Sequence, residues 1–159
     1  MDMVIRKATK ADMPQVLELI KELAVFEREP DAVEVTVEEL QKDGFGADPM
    51  FTCFVAEFLS EIIGMALVYF RYSTWKGRTI HLEDLVVKEK MRGKGAGNAL
   101  YTEVIKYSYD QGVKRVNWVV LGWNKGAIQF YERSGATIMD EWWQVEMDAA
   151  GMENFIENN

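Results

Sequence analysis

The chain has 159 residues, 48% of them hydrophobic, which is enough for one sizeable core and too few for two, so a single domain over 1–159 is expected. A net charge of −8, from 26 acidic and 18 basic residues with no run of Lys or Arg, excludes an electrostatic footprint for nucleic acid. The apolar runs Phe51 to Leu59 and Ile62 to Phe70 fall short of the roughly 20 residues of a membrane span, and a charged start together with a single cysteine, Cys53, points to a reducing cytoplasm.

Val4 to Arg6 reads as a short first strand. Met13, Val16, Leu17, Ile20, Leu23 and Ala24 then recur at helical spacing, and Pro14 sets the helix start near Asp12, because a proline without an N–H is harmless only in the first turn. Glu27 to Val35 is expected as a loop and Val37 to Lys42 as a short amphipathic helix ending at Gly44. Three strands follow, Phe51 to Phe58, Ile62 to Tyr72 and Thr79 to Val87, and their short links predict an antiparallel meander.

The third strand runs into Arg92-Gly93-Lys94-Gly95-Ala96-Gly97, where a helix opens with Ala96, Ala99, Leu100, Val104 and Tyr107 on one face. Glycines let backbone N–H groups converge, and a helix N-terminus adds donors and partial positive charge, so a diphosphate fits such a loop. The spacing is not that of a Rossmann fingerprint, and Asn98-Ala99 stands where a P-loop carries Lys followed by Ser or Thr. This helix is expected to stop at Gly112 and lead to a strand over Val116 to Leu121 in a parallel crossover. Asn124 can cap a further helix carrying Ile128 and Tyr131, Gly135 ends it, Ala136 to Met147 forms a last strand, and 148–159 is a frayed tail. The order predicts an α+β fold with a mixed central sheet.

Arg92 to Gly97 resembles the pyrophosphate loop of the GNAT superfamily of N-acetyltransferases, and the likeness continues through Asn124 to Ala136 and back to the first helix. It implies acetyl-CoA as co-substrate, held by Leu85, Val86, Val87, Arg92, Gly93, Lys94, Gly95, Ala96, Gly97, Asn98, Asn124 and Tyr131. Amine acetylation has a proton problem: an alkyl ammonium with a pKa of about 10.4 costs about 4–5 kcal/mol to deprotonate at pH 7 unless a base assists. Glu83, in the apolar strand before the loop, is the candidate base, with desolvation expected to tune it; Asp84 points to the other face in a regular strand, and a bulge would change that. Tyr131 matches the family's general acid, which protonates the departing thiolate.

Leu82-Glu83-Asp84, Leu19 to Ala24 with Phe26-Glu27, and Asp43 to Gly46 are similar to the diamine acetyltransferase branch, which implies a small cationic amine bound by Phe26, Glu27, Ser73, Trp75, Glu83 and Asp84, and a homodimer. Tyr72 to Ile80 looks like the members of that branch that prefer thialysine, because Ser73 stands where polyamine-specific members carry aspartate, and Arg78 or Lys76 is then available to a substrate carboxylate. Trp142 and Trp143, adjacent on the last expected strand, must send one ring outward and offer an interface anchor. His81-x-Glu83 invites a zinc-deaminase reading, but the Pro-Cys-x-x-Cys it needs is missing, so no metal is expected. Cys53 is read as a buried hydrophobe, which leaves direct transfer in a ternary complex. The alternatives are acetylation of a protein or peptide amine, and a non-catalytic acyl-CoA-binding domain.

Overall fold

The structure, a computed structural model, describes residues 2–158. The chain packs as two compact units divided between Val119 and Val120.

The first unit is built on a five-stranded sheet in the order β1 (Val4–Lys7), β2 (Thr52–Phe58), β3 (Glu61–Ser73), β4 (Gly77–Val87), β5 (Val116–Asn117). The first four strands run antiparallel, and β5 lies parallel to β4 after the crossover through α3 (Ala96–Asp110), so the mixed α+β sheet is as expected. Alternation along the strands feeds two cores. On one face Cys53, Val55, Met65, Leu67 and Val86 pack against Met13, Val16, Leu17 and Leu19 of α1 (Met13–Phe26) and Leu40 of α2 (Val37–Phe45). On the other, Phe54, Ala56, Ala66, Val68, Ile80 and Leu82 meet Ala96, Leu100 and Val104 of α3.

Local signals behave as the physics dictates, with one shift. Pro14 sits in the first turn of α1, behind a short 3-10 turn over Lys10–Asp12. Thr36 accepts from the Glu39 N–H while the Glu39 carboxylate accepts from the Thr36 N–H, a reciprocal cap that starts α2. That helix does not stop at Gly44 but runs to Phe45, with Gly44 buried beneath the Phe51 ring, where any Cβ would collide. An ionic clasp ties β1 to this end of the sheet: Arg6 donates to both oxygens of Asp12 at 2.8 and 3.1 Å and to Glu57 at 2.7 Å. Hydrogen bonds from Arg6 and Thr9 hold the Asp12 carboxyl down at about 2.

Three expectations at the C-terminal end are corrected. The strand expected over Val116 to Leu121 keeps only Val116 and Asn117. The last strand does not form: between α4 (Lys125–Arg133) and α5 (Ala149–Glu157) the chain is irregular, and Trp142, Trp143 and Val145 are 67%, 88% and 92% exposed. Alternating apolar residues say which side a strand would bury, but a strand also needs a neighbour for its N–H and C=O groups. The tail expected to fray is helical instead, started by Asp148, whose Oδ1 accepts from the Gly151 N–H at 2.8 Å. Among the described residues no helix is long and apolar enough to cross a membrane.

Candidate active site

The register of β3 and β4 slips by one residue at a single place. Leu67 pairs with Asp84 and Val68 with Leu82, so Glu83 is the extra residue of a β-bulge. Without the slip, Glu83 and Asp84 would lie on opposite faces. With it, Leu82 stays in the α3-side core beside Val68, while Asp84 joins Leu67 and Val86 on the face covered by α1 and α2. Glu83 turns to that same face, where its carboxylate accepts from the Tyr69 hydroxyl at 2.8 Å and lies 3.5 Å from His81 Nε2.

The two carboxyls are in different surroundings. Glu83 is open to solvent, with 51% of its side chain exposed, so the desolvation expected at this residue falls on its neighbour. Burial, followed by repulsion from Glu83 and Glu27, pushes Asp84 up to about 6. Glu27, just past the end of α1, is raised in the same direction by burial. Three of the expected substrate residues, Glu27, Glu83 and Asp84, are therefore electrostatically coupled, and like charges held this close favour an incoming cation. Burial and the Glu83 carboxylate lift the Tyr69 phenol to about 12, which keeps its proton as a fixed donor to Glu83.

His81 is buried and stacked at a tilt on Tyr69, with 5.3 Å between ring centres. Its Nδ1 lies 3.4 Å from Arg71 Nη1 and 3.3 Å from the Asn117 carboxamide. A guanidinium only donates and the Asn117 Oδ1 only accepts, so the two contacts at Nδ1 call for opposite tautomers, with the proton on Nε2, facing Glu83, for the first and on Nδ1 for the second. Tyr69, Arg71 and Asn117 carry no motif of their own. Their only sequence signal is the period-2 alternation that puts Tyr69 and Arg71 on one face of β3, and using it requires the register across to β4.

Ser73 and Trp75 are not brought to this cluster. Ser73 Oγ accepts from the N–H groups of Trp75 and Lys76, each at 3.2 Å, and so ties the turn between β3 and β4. From Ser73 to Val68, beside the bulge, the strand runs about 17 Å at roughly 3.4 Å per residue. Arg78 turns to the opposite, α3 side, stacking 3.8 Å from the Phe70 ring centre and donating to Gln111 at 3.3 Å, so it is not available to a ligand at Glu83. Lys76 is exposed in the same turn.

The glycine loop has the geometry an anion needs. Gly93 and Gly95 take φ of +74° and +88°, which L side chains rarely adopt, and open space surrounds both Cβ positions. Gly95 caps α3, whose first N–H groups lie beyond the reach of intrahelical acceptors. Arg92 is anchored by donating to the Val87 carbonyl at 3.2 Å and by lying 5.0 Å from the Phe26 ring centre, which links Phe26 to this loop. Pairing of β4 with β5 ends at His81 and Asn117, so among the described residues Leu82 to Val87, including Leu85, Val86 and Val87, has no strand on that edge. An open edge of this kind can pair with the amides of an extended ligand.

In the second unit, Asn124 starts α4 by accepting from the Ala127 N–H at 3.3 Å. Tyr131 lies on α4 with its ring edge-on to Phe130, and its carbonyl accepts from the Ala136 N–H after Gly135 turns at φ +98°. Cys53 is buried, and burial pushes its thiol to about 12, which disqualifies it as an acyl-carrying nucleophile. Among the described residues no group of three His, Cys, Asp or Glu side chains is placed to hold a metal ion.

The chain matches the model of the acetyltransferase (GNAT) family over residues 13–136. It is 41% identical over 146 residues to a thialysine N-epsilon-acetyltransferase of Bos taurus, covering 87% of this chain and 86% of that one. It is 34% identical over 139 residues to spermidine/spermine N(1)-acetyltransferase-like protein 1 of Homo sapiens, covering 83% of this chain and 20% of that longer protein. An integron cassette protein from V. cholerae of known structure superposes with a TM-score of 0.80 at 19% identity over 99% of each chain, a likeness of fold.

The half-buried carboxyl makes a prediction about stability. Asp84 titrates higher in the folded chain, at about 6, than a carboxyl does unfolded, near 4. Its ionisation therefore opposes folding, not at all below about pH 4 and fully above about pH 6. Asp84→Asn is expected to stabilise the fold at pH 8 by about 1–3 kcal/mol after allowance for solvent screening, and to leave it little changed at pH 4. Denaturant unfolding at the two pH values checks this; a variant destabilised at pH 8 would contradict it.

Proposed function

We propose that this chain, which belongs to the acetyltransferase (GNAT) family, acetylates the side-chain amine of a small amino acid of the thialysine type. The family membership makes it an N-acetyltransferase with acetyl-CoA as donor. The observation that carries the narrower reading is the bulge, which turns Glu83 and Asp84 to one face beside Glu27.

The co-substrate supplies a thioester whose carbonyl carbon takes the new bond to nitrogen while the bond to sulfur breaks. The chain's residues fit that co-substrate: Gly93 to Asn98 offer backbone donors at the start of α3 to a pyrophosphate, Arg92 and Lys94 add positive charge, and the open edge from Leu85 to Val87 suits the amides of the pantetheine arm. The acceptor amine arrives as an ammonium. Asp84 and Glu27 attract it, and Glu83, held through one oxygen by Tyr69, takes its proton so that the nitrogen lone pair is free to attack. Asp84 would be largely ionised at neutral pH and fully so once a cation lies beside it. Tyr131 is the group we assign to protonate the leaving thiolate, and Asn124 contributes by fixing the start of its helix.

Ser73 supports an amino acid over a polyamine. At about 17 Å along the strand from the bulge it can touch only the far end of a long polycation, and it carries no charge with which to hold one. We further propose a cytoplasmic homodimer, with the exposed Trp142, Trp143, Met147, Phe155 and Ile156 as its anchoring surface. Light scattering at micromolar concentration that gave the single-chain mass of 18.3 kDa would contradict the dimer.

An acetyl-transfer screen over thialysine, lysine, diamines, spermidine, spermine and a peptide panel tests the substrate. Thialysine is expected to give the highest kcat/KM, and a tenfold preference for spermidine or a peptide would overturn that. For the co-substrate, Gly97→Val separates binding from folding, since a Cβ at Gly97 meets only Val87 Cγ2 at 3.7 Å, an ordinary contact. The variant should melt like wild type yet lose tenfold or more in acetyl-CoA affinity by calorimetric titration. Unchanged affinity would remove the loop from the site.

A further inference from the structure

We propose that Arg71 reads the carboxylate of the acceptor, and so makes this site select an amino acid over a diamine of the same length; the proposal rests on the small-amine reading above and deepens it. A zwitterionic acceptor needs a cation at one end of the pocket as much as carboxylates at the other. Among the described residues Arg71 forms no ion pair, and its one polar side-chain contact is with His81 Nδ1 at 3.4 Å. Most of its donors are thus uncommitted, on an exposed side chain at the edge of an acidic cluster.

The position is set by the same register that builds the cluster. Tyr69 pairs with His81, and Arg71, two residues further along β3, projects from the same face as Tyr69. His81 lies between the two charges, 3.4 Å from Arg71 through one ring nitrogen and 3.5 Å from Glu83 through the other. Guanidinium and carboxylate are therefore at most about 9 Å apart across the ring. An extended amino acid of lysine length separates its terminal amine from its carboxylate by roughly 7–8 Å, from standard bond lengths. Such a molecule can lie across His81 with its amine at Glu83 and its carboxylate at Arg71, in the bidentate pairing that a guanidinium offers. A diamine presents a second ammonium at that end, where Arg71 repels it.

The test compares thialysine with bis(2-aminoethyl) sulfide, which is thialysine without its carboxylate. Wild type should favour thialysine. Arg71→Gln is expected to lower the ratio of kcat/KM for thialysine to that for the diamine by about 10–100-fold, the scale of a lost charged hydrogen-bond pair, mainly through KM for thialysine. Arg71→Lys, which keeps the charge and loses the fork, should fall between the two. A purely structural role would depress both substrates in parallel, and that outcome, or no change in the ratio, overturns the proposal while leaving the amine-acetylation reading intact. Wild type that acetylates neither compound, or the diamine alone, overturns the amino-acid reading and this proposal with it.

Discussion

One inserted residue organises this site. Had β4 paired with β3 without a slip, either Glu83 or Asp84 would have entered the α3-side core, where an unpaired carboxylate costs several kcal/mol. The bulge leaves Leu82 in that core and turns two consecutive carboxyls to the opposite face. The bulge lies just past the last pair between β4 and β5, where β4 loses its neighbour and its edge becomes open to an extended ligand.

The cost of that arrangement falls on Asp84, which is half-buried beside two like charges. A cation placed beside it would relieve that cost as protonation does, the kind of trade between stability and function that a binding site makes. The opposite end of the sheet shows the structural use of the same residue types. There Asp12 is fully matched by Arg6 and Thr9, and its carboxyl is driven down instead of up.

Much of this was legible in the chain itself. The strand, glycine and helix order around Gly93 to Gly97, the cap at Asn124, and the meander all follow from local signals that act over a few residues. Glu83 and Asp84 were identifiable as a pair, but which faces they took depended on a register slip that leaves no mark in composition. The same limit applies to the cation for a substrate carboxylate: with β3 and β4 aligned only by their turn, Arg78 or Lys76 was the natural choice, whereas the structure turns Arg78 onto Phe70. Ala136 to Met147 fails in the other direction, since the strand expected there finds no partner strand among the described residues.

The central claim is that the bulge presents Glu83 as the base for the incoming ammonium. The most direct measurement is the pH dependence of kcat for Glu83→Gln beside wild type, with the fold of each verified. Loss of a positioned base predicts a deficit of about 10²–10⁴-fold near neutral pH. The deficit should narrow as the solution approaches the amine's own pKa near 10.4, where the substrate arrives already neutral. A Glu83→Gln profile that runs parallel to wild type across the whole range, or coincides with it, would contradict the account.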